Sequence, residues 1–97
     1  MEERVKLKKR LRVAISKNLD VDFTEGVKLG TTYSENVARR IYIKICNDVG
    51  YTTDEISKEV GIHIKNVQRN IRMYKNDYIY NKGVRSLADK IKLDVYR

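Results

Sequence analysis

The sequence contains no proline and no tryptophan, and only one cysteine and one histidine. Without proline the chain lacks the strongest helix breaker, so its five glycines are the main interruptions of any helical pattern. Cys46 has no second cysteine to pair with and lies in an apolar helical pattern, which predicts a buried, inert thiol in a reducing compartment rather than a reactive one. No apolar run is long enough for a membrane span or a signal peptide, so we expect a soluble, cytoplasmic protein.

Catalytic and metal-binding constellations are lacking as well. Because His63 is the only histidine, the sequence offers no convincing Ser/His/Asp relay, Cys/His dyad or histidine-based metal cluster. Residues 26 to 32 contain glycines but not the spacing of a phosphate-binding loop. The acidic pair Asp20 and Asp22 is too isolated for a two-metal centre. We therefore expect a protein that is not an enzyme and that uses no metal and no cofactor.

Positive charge is the most pronounced property of the composition. The 97 residues include 21 Lys and Arg against 13 Asp and Glu, which gives a formal net charge of +8 and a sequence pI of about 9.7. This balance suits a polyanionic partner. Hydrophobic residues make up 41% and charged residues 35% of the chain, which is the composition of a globular protein, and the length fits one domain.

Apolar residues recur at spacings of three and four along most of the chain, which predicts an all-α fold of about five helices. We expect a basic amphipathic first helix up to residue 18, a long helix over residues 34 to 48, a helix pair over residues 53 to 75, and a last helix over residues 77 to 95. Either Asp77 or Asn81 can start the last helix. The residues predicted to face the core outside the helix pair are Leu7, Leu11, Ala14, Ile15, Phe23, Val37, Ala38, Ile41, Ile45, Cys46, Val84, Leu87, Ala88 and Ile91. The pattern does not place Tyr42 or Ile43.

The helix pair has the sequence features of a helix-turn-helix. Thr52 and Glu55 have the spacing of a capping box, which marks the start of the first helix. Gly61 can adopt the left-handed conformation that a tight exit needs, and Ile62 can fill the corner between the two helices. His63 stands where the second helix begins, which suggests either a capping role or a phosphate contact.

The second helix of the pair carries bases and no acids. Its apolar positions Ile64, Val67, Ile71 and Tyr74 share one face, so the polar residues between them point outward. Residues 60 to 76 contain no Asp or Glu, although four of them are Lys or Arg. A face of one charge is costly unless an anion compensates it. The alternative interpretation is an ordinary helical hairpin whose basic residues are simply solvated. The nearby cluster Tyr74, Tyr78 and Tyr80 is expected to pack this helix onto the last one.

These outward residues predict a DNA-reading surface with two roles. Arg can hold guanine through two hydrogen bonds, and Asn and Gln can do the same for adenine. Phosphate contacts set the register of the protein on the duplex without reading sequence. The residues expected at base edges are Lys65, Asn66, Gln68 and Arg69, and those expected at phosphates are Arg72, Lys75, Thr52, Thr53, Arg39 and Arg40.

The order of these segments resembles the DNA-binding domain of the bacterial replication initiator DnaA, which has a Trp-repressor-like helix-turn-helix fold. Residues 37 to 46 (VARRIYIKIC) resemble the long helix of that family. Residues 55 to 61 (EISKEVG) resemble its first helix-turn-helix element, and residues 65 to 72 (KNVQRNIR) the continuation of its recognition helix. The resemblance covers nearly the whole chain and implies binding to double-stranded DNA. Residues 66 to 72 also resemble the recognition helix of DeoR-type repressors.

The sequence departs from the family pattern at positions that matter for function. The family has a basic loop and an Arg-Pro-Arg run before its long helix, and of that cluster only Arg39 is kept. Its base-reading Asp-His-Thr-Thr run is replaced by residues 63 to 66 (HIKN), so the operator sequence of the family is not implied. An ATPase domain has no counterpart, so ATP-driven assembly is not implied either.

The sequence therefore predicts a small bacterial or phage-type regulator of transcription or replication, with double-stranded DNA as its partner and a homodimer as an option. Two other classes stay open. The helix-turn-helix fold can serve as an adaptor that binds another protein. Alternatively, the basic first helix can lie on an anionic membrane surface, although its apolar stripe has the ordinary width of a helix that packs against a core.

Overall fold

The computed structural model describes residues 2 to 96, and every regular element in that range is an α-helix. The helices are α1 (Glu2–Asn18), α2 (Tyr33–Asp48), α3 (Thr53–Val60), α4 (Ile64–Tyr80) and α5 (Lys82–Tyr96). The predicted all-α fold of about five helices is confirmed. None of the helices described here is long and apolar enough to cross a membrane.

Local hydrogen bonds set the starts of α2 and α3. Both begin with a capping box in which a threonine hydroxyl accepts the backbone N–H three residues ahead, at 3.1 Å in each case. The glutamates at those positions, Glu35 and Glu55, accept in return from the backbone N–H groups of Thr32 and Thr52. Two otherwise unpaired backbone donors are thereby satisfied at each helix start. The capping box expected from the sequence at Thr52 and Glu55 is confirmed, and α2 has a second one at Thr32 and Glu35.

The connection between α1 and α2 folds back onto the core. The backbone N–H of Phe23 donates to the hydroxyl oxygen of Ser16 at 2.7 Å, which ties the connection to the last turns of α1. Phe23 is consequently fully buried, as expected for the only phenylalanine of the chain. Further along, Arg39 of α2 donates to the carbonyl oxygens of Lys28 and Gly30, at 3.1 and 2.7 Å.

The last helix starts later than residue 77, so the boundary predicted there is wrong. Helix α4 continues through Asp77 to Tyr80, because Asp77 pairs with Arg40 of α2 and Tyr78 continues the inward stripe of α4. The alternative start at Asn81 is confirmed. Its side-chain oxygen accepts from the backbone N–H of Val84 at 3.1 Å and so caps α5.

Helix α2 forms the centre of the core. Its buried residues are Val37, Ala38, Ile41, Tyr42, Ile43, Ile45 and Cys46. They extend beyond a single helical stripe because α2 packs against α1, α3 and α4 on different sides. This explains why Tyr42 and Ile43, which a one-face pattern does not place, are both fully buried. Burial, together with the nearby charge of Glu59, raises the pKa of the Cys46 thiol to about 12.

Four long helices form a closed ring. Helix α1 packs against α2 and α5, and α4 packs against the same two helices. The extensive contacts in the described part of the chain thus run from α1 to α2, on to α4, to α5 and back to α1. Helices α1 and α4 are diagonal in this ring because, among the described residues, each packs extensively against α2 and α5 and not against the other. The short helix α3 packs against α2 and α4.

The tyrosine cluster joins α4 to α5 only in part. The rings of Tyr74 and Tyr78 stack with centroids 5.9 Å apart, and the Tyr78 hydroxyl donates to the Asp89 carboxylate of α5 at 2.7 Å. Tyr80, by contrast, is 79% exposed at the end of α4. The expected packing role therefore holds for Tyr74 and Tyr78, and Tyr80 does not share it.

Candidate nucleic-acid interface

The connection between α3 and α4 is short and held by hydrogen bonds. Gly61 has φ +79°, the left-handed conformation expected for it, and its N–H donates to the carbonyl of Ser57 at 2.9 Å. The Ser57 hydroxyl donates to the carbonyl of Ile62 at 2.5 Å. His63 then caps α4, since its Nδ1 accepts from the backbone N–H of Lys65 at 3.1 Å. These bonds fix how α4 leaves α3.

The inner face of α4 is apolar and anchors the helix. Val67 and Tyr74 are buried, and Ile71 and Tyr78 are partly buried against the core. Near Tyr74 and Tyr78, the ammonium group of Lys92 from α5 lies 5.5 and 4.7 Å from the two ring centroids. Such cation–π contacts add to the packing of α4 on α5. One side of the helix is therefore held firmly, which leaves the other side presented in a defined orientation.

The outer face of α4 carries exposed cations in register. Lys65, Arg69 and Arg72 are spaced by four and three residues, so they lie along one line of the helix, and all three are exposed. Lys75 is also exposed and lies toward one side of this line. Within residues 2 to 96, none of the four forms a salt bridge. We call these four residues the basic face of α4.

Amides flank the basic face. Asn66 and Gln68 are exposed beside the line of cations, as expected for residues that could reach base edges. Asn76, which the sequence reasoning did not nominate, lies seven residues after Arg69 and is exposed on the same line. The spacing of seven residues from Arg69 could have identified Asn76, but the sequence pattern predicts that this helix ends at residue 75. From Lys65 to Asn76 this polar face is about 16 Å long.

The start of α3 is already capped and acidic. The hydroxyl of Thr52 accepts from the backbone N–H of Glu55, and Thr53 is half-buried. The hydrogen bonds from Thr52 lower the pKa of Glu55, so this exposed carboxylate is charged at neutral pH, and Asp54 adds a second one. The carboxylates of Asp54 and Glu55 make this helix start a poor place for a phosphate, which Thr52 and Thr53 are predicted to hold.

Arg39 and Arg40 are engaged inside the protein. Besides its bonds to the connection before α2, Arg39 donates to the side-chain oxygen of Asn36, and its burial lowers its pKa from the ordinary value. Arg40 donates to the carboxylate of Asp77 at 2.9 Å, and both side chains are about one-fifth exposed. These contacts use hydrogen-bond donors of both arginines within the protein.

A polar network holds α3 against α1 and α2. Glu59 of α3 accepts from the ammonium group of Lys8 at 2.8 Å and from the hydroxyl of Tyr42. Burial favours the neutral form of Lys8, but the hydrogen bond and charge of Glu59 outweigh it, and the pKa of Lys8 is raised. The Lys8 ammonium also lies 3.9 Å from the ring centroid of Tyr51. The network therefore fixes α3, and through the short connection the start of α4.

Comparison of the chain with protein-family models, with curated proteins and with solved structures finds no match. The geometry of the basic face and its neighbours is thus the basis for assigning a function.

Proposed function

We propose that the α3–α4 pair acts as a helix-turn-helix and that the protein binds duplex DNA with the outer face of α4 in the major groove. The observation that carries this proposal is the basic face itself, with four exposed cations that have no salt-bridge partner in the described structure. Phosphates and guanine edges are the groups that such a face would meet in a duplex.

The roles of the residues follow from their positions on α4. Lys65, Asn66 and Arg69 lie in the first half of the helix, the part that usually enters the groove, and would face base edges, with Gln68 beside them. Arg72 and Lys75 lie farther along and would contact phosphates. We do not include the other predicted phosphate contacts in the proposed DNA-binding surface, because the structure gives them other contacts or acidic neighbours. These residues are Thr52, Thr53, Arg39 and Arg40.

The amides on α4 favour sequence-specific binding, which is the property of a regulator of transcription or replication. Their presence next to cations distinguishes this face from one that only neutralises phosphates. The DnaA-like resemblance of the sequence is in line with such a role, and a binding site selected from random DNA would define it. A palindromic site would also indicate a dimer and give its half-site spacing.

The test is binding of a fluorescently labelled duplex, followed by anisotropy over a range of salt concentrations. We expect the logarithm of the binding constant to fall with the logarithm of salt concentration with a slope of about −2, because Arg72 and Lys75, the two cations assigned to phosphates, displace counterions. The variant K65E/R69E/R72E should lose binding. Its matched control is K28E/K82E/K90E, which reverses the same number of exposed charges elsewhere.

Two outcomes would refute the proposal. One is the lack of duplex binding by the unaltered protein even at low salt. The other is an equal loss in the two charge-reversed variants, which would mean that net charge alone drives binding. Circular dichroism of both variants establishes that they remain helical.

A second candidate function is that of an adaptor for another protein, and one observation favours it. The outer side of α4 becomes apolar toward its end, where Met73, Ile79 and Tyr80 are exposed. Exposed apolar side chains on the outer side of a helix can form the core of a protein contact. An adaptor would bind duplex weakly and would retain its partner when the basic face is reversed.

A further inference from the structure

A second basic surface lies on α1, at the corner of the ring diagonal to α4. An open groove of about 750 Å³ follows one side of this helix, next to Asp94 of α5. Lys6, Lys9, Arg10 and Lys17 border it, and Val13 lies between them, 47% exposed. Lys6, Arg10, Val13 and Lys17 share one side of the helix because they are spaced by four, three and four residues, and Lys9 lies beside them. We call this region the α1 groove.

The α1 groove has a net positive charge, with four cations against one carboxylate. In the described part of the chain, none of its four bordering cations takes part in a salt bridge. Asp94 of α5 also lines the groove and offsets one of these positive charges, and its carboxylate accepts from the Asn18 side chain at 3.1 Å. A partner that fits the groove must therefore be acidic.

The floor of the α1 groove is apolar, so a partner should also present an apolar side chain. Val13 and the aliphatic stems of the bordering lysines offer a surface that an apolar side chain can cover. Duplex DNA presents phosphates and sugars to such a surface and leaves the valine without an apolar partner. A bilayer would need more apolar area, yet the larger apolar residues of α1, Leu11 and Ile15, are fully buried in the protein core.

We infer that the α1 groove docks an acidic, amphipathic segment of a partner protein. An apolar side chain of that segment covers Val13, and flanking Asp or Glu side chains pair with Lys6, Lys9, Arg10 and Lys17. This inference does not depend on DNA binding by α4. Because the two surfaces lie at diagonal corners of the ring, both can be occupied at once.

The test uses a synthetic acidic helix of about 15 residues, long enough to follow the groove, with leucines spaced three and four apart and glutamates elsewhere. A glutamate-rich peptide of equal charge without leucine is the reference. We expect the full-length protein to bind the amphipathic peptide at least about tenfold more tightly than the reference. Equal affinities would overturn the inference, since charge alone would then explain binding.

Single substitutions on α1 locate the site. Val13→Ser should lower the affinity for the amphipathic peptide by about fivefold to tenfold, because it removes the apolar contact and keeps every charge. Val5→Ser is the matched control, because Val5 is an exposed valine of the same helix that does not line the groove. It should leave the affinity unchanged. An unchanged affinity in V13S, or equal losses in both variants, would overturn the inference.

Competing ligands complete the test. A short duplex and vesicles of phosphatidylcholine with phosphatidylglycerol are measured with the same variants. V13S should bind both as the unaltered protein does, and K65E/R69E/R72E should lose the duplex but retain the peptide. If V13S instead loses the duplex or the vesicles, the groove is a nucleic-acid or lipid site and the inference is wrong, whatever the outcome for α4.

Discussion

Arg40 of α2 and Asp77 of α4 form a salt bridge of 2.9 Å between residues that are 37 positions apart in the sequence. Asp77 is the first acid after residues 60 to 76. Its pairing with Arg40 holds this carboxylate against α2, where it does not neutralise the cations of the basic face. The same pair joins two neighbouring corners of the helix ring.

Removal of the Asp77 carboxylate should therefore destabilise the protein. We expect Asp77→Ala to lower the free energy of unfolding by about 1 to 2 kcal/mol, because it leaves the partly buried Arg40 without its anion. Urea denaturation measures this change. The control is Lys58→Ala, which breaks the exposed pair between Asp54 and Lys58 and should have no measurable effect. A similar loss in both variants would mean that burial of the pair is unimportant.

The residues of the basic face should differ in what they recognise. Arg69→Ala is expected to cost about 1 to 3 kcal/mol at one base pair and to relax specificity there, because it removes a guanine or similar edge contact. Lys75→Ala should weaken all duplexes about equally, because a phosphate contact carries no sequence information. Affinities for a selected site and its single-base variants measure both effects. Identical behaviour of the two variants across these sites would contradict the division of roles.

The hydroxyl of Tyr42 should contribute to stability through Glu59. Tyr42→Phe removes a buried donor to a charged acceptor and is expected to cost about 1 to 2 kcal/mol in the free energy of unfolding. Tyr51→Phe is the matched control, because the ring that faces Lys8 is retained. It should change stability less. Equal losses in the two variants, measured by urea denaturation, would show that the bond to Glu59 is not what stabilises α3.

Cys46 should be inert in the folded protein. Its pKa of about 12 keeps the thiol protonated, and its side chain is buried, so iodoacetamide at pH 8 should react at least about 100-fold more slowly than with the urea-unfolded chain. Mass spectrometry measures the rate. Rapid alkylation of the native protein would contradict this.

The raised pKa of Cys46 should make the stability of the protein depend on pH. The unfolded chain loses the Cys46 proton near the ordinary pKa of 9.0, whereas the folded chain keeps it to about 12, so stability is lost as the pH rises between these values. The free energy of unfolding should therefore decrease more between pH 8 and pH 10 for the unaltered protein than for Cys46→Ala. A parallel fall in both proteins would contradict the raised pKa.

Features of the fold that depend on neighbouring residues could be predicted from the sequence. The capping boxes at Thr32 and Thr52 follow from a spacing of three residues, and the left-handed conformation of Gly61 follows from its place between two apolar patterns. The exposure of Lys65 and Arg69 follows in the same way from helical periodicity. Each of these features is determined by residues within one or two helical turns.

Features that depend on distant partners could not be predicted. Asp77 has the local chemistry of a helix cap, and only its pairing with Arg40 shows that α4 continues past it. Similarly, Arg39 was expected at a phosphate because nothing in its neighbourhood reveals the carbonyl groups of Lys28 and Gly30 that it binds. Tyr42 was not placed because its burial results from helices packed on several sides of α2.

The diagonal arrangement of α1 and α4 has a consequence for how the protein can vary. A substitution on the outer side of one of these helices is separated from the other by the intervening α2 and α5, so its energetic effect should add to changes made across the ring. The two proposed binding surfaces can thus change independently of each other.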